Sequence, residues 1–440
     1  MSMVVPQGRK YLCADALFRL LHEHCACIAD AGADDVEMPL GDALRSALAM
    51  FALKAPALRS FDKQRAEGHV QTIYGLDHVP CDTQMRERLA PVAPESLRHS
   101  CTLVLRPLQR GQALAPLVLL DGQYVVALDG TKYFSSTTLL CAACLHKEHR
   151  NGSMTYFHQR VGAAILQPDC REGIPLMPAP IVKQEGTQKN DGERKAANRF
   201  ITQRRQEHPP RPCIITDDAL SAPAPPIETR HDDSCHDILE VQEGDHAYLG
   251  TQVQAAEAAG RGTSYERHDR AAAMVHAFRF VKDMPLKRSR GDVRGNVIAD
   301  WERGPEQVQH CSGVTALRVS KRNVSKLMRG GRARWKIANE PFNTLKNPGS
   351  HCEPNSGHGE QTLSGVFARL MMLAFVVEQT PQRCCAVWRA VWAKLGRKRL
   401  WWERMSALCY DYRLQAMRAL LEALSSGCAK SPPMILTDSS

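Results

Sequence analysis

Apolar residues recur at helical spacing through the first quarter of the chain. Over 14–28, Leu17, Leu20, Leu21 and Cys25 share one face at 100° per residue, and 40–53 continues in the same style. Over 81–105, Met85, Leu89, Leu97 and Leu103 keep the pattern, interrupted by Pro91 and Pro94. At Gln123 the period changes. The stretch 123–136, QYVVALDGTKYFSS, reads as a buried strand running into Asp129-Gly130, and 154–166 reads as its neighbour after a turn at Asn151-Gly152. A charged amphipathic helix is expected over 185–206, and a second buried strand, 212–216, ends in Asp217-Asp218. Strand, helix and strand with acids at strand ends predict an α/β sheet. Short strands are expected at 238–241, 247–249, 278–281 and 313–319, and the Ala-rich 253–274 fits a helix or further strands. Helices are expected at 361–379 and through 383–424, followed by a polar tail, 425–440, expected to be disordered.

The stretch 330–347, GGRARWKIANEPFNTLKN, reads as a helix with Trp335, Ala338, Phe342 and Leu345 on an apolar side. Lys336, Glu340, Asn343, Thr344 and Asn347 fall on the other, so one carboxylate stands on a polar face beside lysine and amides.

The formal net charge of +10 matters because it is clustered: 318–336 carries eight Lys or Arg and no acid. Such a run is either a solvated face or an attraction to a polyanion. The longest apolar run, LMMLAFVV at 370–377, suits a buried helix, and no stretch approaches the length of a membrane span. The 16 scattered cysteines, with no leading apolar segment of the secretory kind, predict an intracellular, reducing compartment. Cys141 and Cys144 form a CxxC followed by His146 and His149, a donor set that suits tetrahedral zinc; His158 is a further candidate across the hairpin, and a plain reduced pair is the alternative.

Four segments carry a family resemblance: ALDGTKYFSS, TDDALSAPAPPI, GDHAYL and, above all, GGRARWKIANEPFNTLKN followed by NSGHG. They resemble the catalytic segments of DDE transposases of bacterial insertion sequences, over roughly 60–380. The resemblance implies an α/β, RNase H-like core with an inserted subdomain, flanked by helical regions. On that reading 1–118 is a helical region that binds DNA ends, 119–380 is the catalytic domain with its insertion at about 229–312, and 381–424 forms C-terminal helices. It carries catalytic and magnesium-binding roles to Asp129, Asp218 and Glu340, with Asp217 in place of Asp218 if the register shifts by one. Gaps of 89 and then 122 residues separate the three, and the second is what calls for an insertion. Two Mg²⁺ ions would serve cleavage and strand transfer. Arg332, Arg334, Lys336 and Lys346 are the expected DNA contacts. The implied partners are double-stranded DNA, as element ends and target, and a second copy in a synaptic homodimer. The implied setting is the bacterial cytoplasm and nucleoid. Pro341 directly after Glu340, with Ser350, Cys352 and Ser356, departs from the family pattern. The alternative is therefore a catalytically impaired descendant that only binds DNA.

Overall fold

The computed structural model describes residues 12–30, 37–62, 65, 68–170, 172–183, 192–207, 212–218, 235–241, 246–269, 273–304, 308–339, 358–359 and 361–426. The N-terminal helices come first: α1 (Ala14–Ala26), α2 (Leu40–Ala52), α3 (Leu58–Asp62), α4 (His69–Tyr74), α5 (Asp82–Leu89) and α6 (Arg98–Arg110). Then follow β1 (Val118–Leu120), β2 (Gln123–Ser136), β3 (Leu145–Glu148), β4 (Met154–Leu166), β5 (Ile174–Ile181), α7 (Glu193–Glu207), β6 (Cys213–Asp218) and β7 (Cys235–Glu240). After β7 come α8 (Ala247–Ala258), β8 (Gly262–Asp269), β9 (Met274–Lys287), β10 (Arg290–Arg303) and β11 (Val308–Thr315). The chain ends in α9 (Val324–Arg332), α10 (Trp335–Ile337), α11 (Leu363–Cys384), α12 (Ala386–Leu395), α13 (Lys398–Asp411) and α14 (Met417–Ser426).

One mixed sheet organises the molecule, in the order β3-β4-β2-β6-β7-β11-β10-β9-β8, with β5 on β4 and β1 on β2. β4 runs antiparallel to β2 and to β5, whereas β2, β6 and β7 are mutually parallel neighbours. α7 makes the crossover from the antiparallel half to β6. β2 is buried on both faces, which explains its near-continuous apolar run. Tyr124, Val126 and Leu128 join the large core shared with the helices, and Val125 and Ala127 join smaller clusters under α9 and α10.

The N-terminal and C-terminal helices do not form separate cores. Leu17, Leu44, Leu48, Leu370, Trp401 and Leu421 all lie in the same cluster as the first face of the sheet. α11 lies within it. This helix is long and apolar enough to cross a membrane by length and composition, but 89% of its apolar window is buried inside the fold, as in a core helix.

Several expectations shift. β5 has no counterpart in the sequence reading, because Pro175, Pro178 and Pro180 argue against a strand; here IPLMPAPI pairs with β4 and leaves β4 inside the sheet. Within the 229–312 stretch expected as an insertion, Cys235–Glu240 is a strand that pairs in parallel with β6. The 253–274 stretch divides into the end of α8 and the strand β8. The tail from 427 onward lies outside the described residues.

Strands β8 to β11 join the rest of the sheet through a short ladder of β11 on β7, Gly313 to Thr315 against Glu240 to Ile238. Ser312 and Thr315 donate to the carbonyls of Val241 and Asp237 at 2.6 and 2.5 Å. A Cβ on Gly313 would sit 2.9 Å from the backbone oxygen of Leu239, which cannot swing aside. Gly313→Val is therefore expected to cost about 1–3 kcal/mol by overpacking, read as a lowered urea midpoint at unchanged slope.

Candidate functional site

Three carboxylates line up across the parallel strands. The β6–β7 register sets Asp218 beside Glu240. The β2–β6 ladder runs to Ala127 beside Thr216; Asp129 and Asp218 each follow two residues later, and the charges of both act on Arg334. In-register neighbours on parallel strands point to the same face. Asp129, Asp218 and Glu240 thus follow Ala127, Thr216 and Ile238 on the face covered by α9 and α10. Asp217 falls on the alternate position, with its Oδ1 accepting the Asp218 N–H at 2.8 Å. The strand alternation favours Asp218 over Asp217.

Asp129 was expected to end its strand. β2 instead continues to Ser136, because its antiparallel partner β4 pairs with it as far as Ser136 opposite Tyr156. The parallel partner β6 stops at Asp218. Asp129 therefore lies where the parallel half of the sheet ends. In open α/β sheets ligands bind outside the carboxyl ends of the strands.

α9 lies close on this face because Gly330 and Gly331 carry no side chain. A Cβ there would stand 2.6 Å from Leu119 Cδ2 or 2.9 Å from Ile238 Cγ2. Thr216 donates its hydroxyl to the Gly331 carbonyl at 3.3 Å. The close approach brings Arg334 over the acids. Its Nε and Nη2 donate to Glu240 Oε2 at 2.9 and 2.8 Å, and its Nη1 is 4.0 Å from Asp129 Oδ1. Burial works against the charge on Arg334, but the hydrogen bond to Glu240 and the charges of Glu240, Asp129 and Asp218 outweigh it and raise its pKa.

A fifth charged group comes from the other face. Glu193, in the first turn of α7, occupies the space a Cβ on Gly130 would need, and its Oε1 accepts from Gln159 Nε2 at 2.6 Å. Burial, then the negative charges of Asp129 and Asp218, raise its pKa despite the bond from Gln159. Neither Glu193 nor Glu240 was singled out from the sequence. Glu240 had a usable signal, since CHDILE ends in an acid as CIITDD does. Glu193 had none, because its role depends on a glycine 63 positions earlier.

Glu340 and Lys346 lie outside the described residues, as do Pro341, Ser350, Cys352 and Ser356. The helix expected over 330–347 is divided where it is described: α9 ends at Arg332 and α10 spans Trp335–Ile337. Its expected apolar side is also rotated. Ala333 and Ile337 are buried against Ala127, Ala164 and Leu166. Trp335 is 59% exposed and donates its Nε1 to Glu240, and Ala338 is exposed.

The described basic residues expected to contact DNA are turned inward. Arg332 pairs with Asp300 at 3.3 Å and with Glu302. That neutralises a convergence of His276, Asp300 and Glu302, in which burial lifts the Asp300 pKa to about 6. Arg334 is committed to Glu240, and Lys336 donates its Nζ to the carbonyls of Pro168 and Cys170 at 2.6 and 3.0 Å. Their partners are protein groups because the close approach of α9 and α10 presses this part of the run against the sheet. The exposed charges are earlier in it: Arg318, Lys321, Arg322 and Lys326.

The Cys141–Cys144 pair lies in the connection from β2 to β3, with Sγ atoms 3.7 Å apart. The histidines that meet it are His158 of β4 and His358, not His146 and His149. His146 sits on β3 opposite Tyr156, and the exposed His149 is 2.8 Å from the Thr155 hydroxyl.

No family model matches the chain, and no curated protein matches it in sequence. Among solved structures, the chain is similar to a piggyBac transposase in its synaptic complex with hairpin DNA. The TM-score is 0.41 and the identity 8%, over 97% of this chain and 82% of that one.

Proposed function

We propose that the chain is a DNA transposase of the DDE type, built on an RNase H-like core. Its reaction on this reading is metal-dependent cleavage and strand transfer at element ends. The observation that carries it is the placement of Asp129 and Asp218 just beyond the last paired residues of parallel β2 and β6. The strand order β5-β4-β2-β6-β7, antiparallel in its first half and parallel in its second, supports the RNase H-like reading. So does the crossover helix α7 between the halves.

The acids suit magnesium in donor type. All are hard oxygen donors, and burial first, then the negative charges of Asp129 and Asp218, raise the Glu193 pKa. Among the described residues they do not close into a three-donor cluster, so the reading assigns the third donor to Glu340. Asp129 and Asp218 would hold the metal, which when bound would polarise the phosphoryl group and activate the attacking water or hydroxyl. Arg334 holds Glu240 in an ion pair beside them. Glu193 closes the site from behind β2.

The exposed Arg318, Lys321, Arg322 and Lys326 are assigned to the DNA backbone. Replacing all four by alanine is expected to flatten the slope of log affinity against log salt by up to about 3 to 4. Fluorescence anisotropy across a salt series measures it, and an unchanged slope would leave these charges as a solvated face. The reading as a whole is tested by incubating the purified chain with duplexes carrying the flanking element ends, with and without Mg²⁺. Divalent-dependent nicking is expected. Binding without nicking would favour the impaired, DNA-binding alternative.

A further inference from the structure

We propose that Cys141, Cys144, His158 and His358 form a zinc site that fastens the segment leading into α11 to the sheet. This goes beyond the nuclease reading and does not depend on it.

The argument begins with donor spacing. A tetrahedral zinc ion with bonds of about 2.3 Å to sulfur and about 2.0–2.1 Å to nitrogen sets its ligand atoms about 3.3–3.8 Å apart. The two Sγ atoms are 3.7 Å apart. His158 Nε2 is 3.5 Å from each of them. His358 Nε2 is 3.3 Å from Cys144 Sγ and 3.0 Å from His158 Nε2. All four donor atoms lie within 4.8 Å of one another, and all four residues are buried. A sulfur separation of 3.7 Å is far outside bonding distance, so the pair is not a disulfide.

The surroundings suit an ion rather than bare thiols and imidazoles. The Cys141 N–H points to Cys144 Sγ at 3.3 Å, a hydrogen bond that favours a thiolate. Tyr133 stacks on His158, and Phe134 stacks on His358 with centroids 4.0 Å apart, which holds both rings in place. Two soft sulfurs with two imidazoles are a donor set that selects zinc over magnesium.

The topology says what the site does. Cys141 and Cys144 belong to the β2–β3 connection and His158 to β4, whereas His358 comes 200 residues later, just before α11. The ion would tie the chain shortly after Glu340 to the strands flanking Asp129.

The full-length chain, purified without chelator, is expected to carry one zinc by elemental analysis. Cobalt added to the apo chain should give the visible ligand-field and thiolate charge-transfer bands of a tetrahedral S₂N₂ site. Cys144→Ser and His358→Ala should each lose the metal, and His149→Ala should keep it. Should either of the first two fail to fold, the cobalt spectrum of the unsubstituted chain still decides. Absence of stoichiometric zinc together with no cobalt bands would overturn the site. Loss of metal in His149→Ala with retention in His358→Ala would overturn this ligand set.

Discussion

Asp129→Asn and Asp218→Asn are each expected to reduce Mg²⁺-dependent DNA cleavage by about a thousandfold or more while leaving DNA affinity within a few-fold. Metal-held charge stabilisation is worth several kcal/mol in phosphoryl chemistry, and each 1.36 kcal/mol is a factor of ten. Both residues stand just beyond the end of the parallel β2–β6 ladder, and neither belongs to the exposed basic segment. Asp217→Asn is the control, because strand alternation turns it from the row; its cleavage is expected within a few-fold of the parent. Wild-type cleavage by Asp129→Asn would remove it from the chemistry, and loss confined to Asp217→Asn would move the site by one residue. Glu193 adds a pH signature. Burial and its acidic neighbours raise its pKa in the folded chain, so the folded state holds that proton more tightly than the unfolded. Its contribution to stability is therefore present at low pH and lost as pH rises through the carboxylate range. Added Mg²⁺ should then raise the melting temperature more at neutral pH than in acid, and Glu193→Gln should blunt that difference.

Arg334→Ala is expected to be the most damaging single change to folding near the site. Removing one partner of a largely buried ion pair costs about 3–5 kcal/mol, because the other charge is left desolvated and unpaired. Arg334 and Glu240 are 13% and 11% exposed, and Glu240 accepts two hydrogen bonds from that guanidinium. The loss also removes a positive charge that interacts with Asp129 and Asp218. Chemical denaturation should show the drop. Glu240→Gln in the Arg334→Ala background should recover part of it, since the amide carries no charge to strand. Equal midpoints for Arg334→Ala and the parent would show that the pair contributes nothing. In that case Arg334 would return to the set of residues offered to phosphate.

These two experiments touch different kinds of knowledge. The strands around Asp129 and Asp218 were legible because buried parallel strands are written as continuous apolar runs, and an acid at the end of such a run stands out. The long core helix was legible for the same reason. The CxxC pair was visible from spacing, since i and i+3 in a tight connection bring two sulfurs together whatever the fold. Local periodicity determines this much by itself.

Only the tertiary structure decided the rest. β5 was hidden because its prolines weigh against a strand. They are tolerated because, among the described residues, β5 pairs with β4 alone and its other edge needs no ladder donors. The basic run looked uniform along the chain, yet close packing at Gly330 and Gly331 divides it into an inward half, paired with Glu240, Asp300 and backbone carbonyls, and an outward half from Arg318 to Lys326. A helical wheel carried on through Trp335 could not see that division, since the helix breaks after Arg332 and the buried side moves to Ala333 and Ile337. His158 and His358, rather than the nearer His146 and His149, meet the cysteines because ligand geometry depends on distance through space, and the fold closes 200 residues of chain to bring those rings together. Glu193 meets Asp129 across a glycine for the same reason. Sequence spacing carries information about such contacts only where the chain between them is short or regular, and here it is neither.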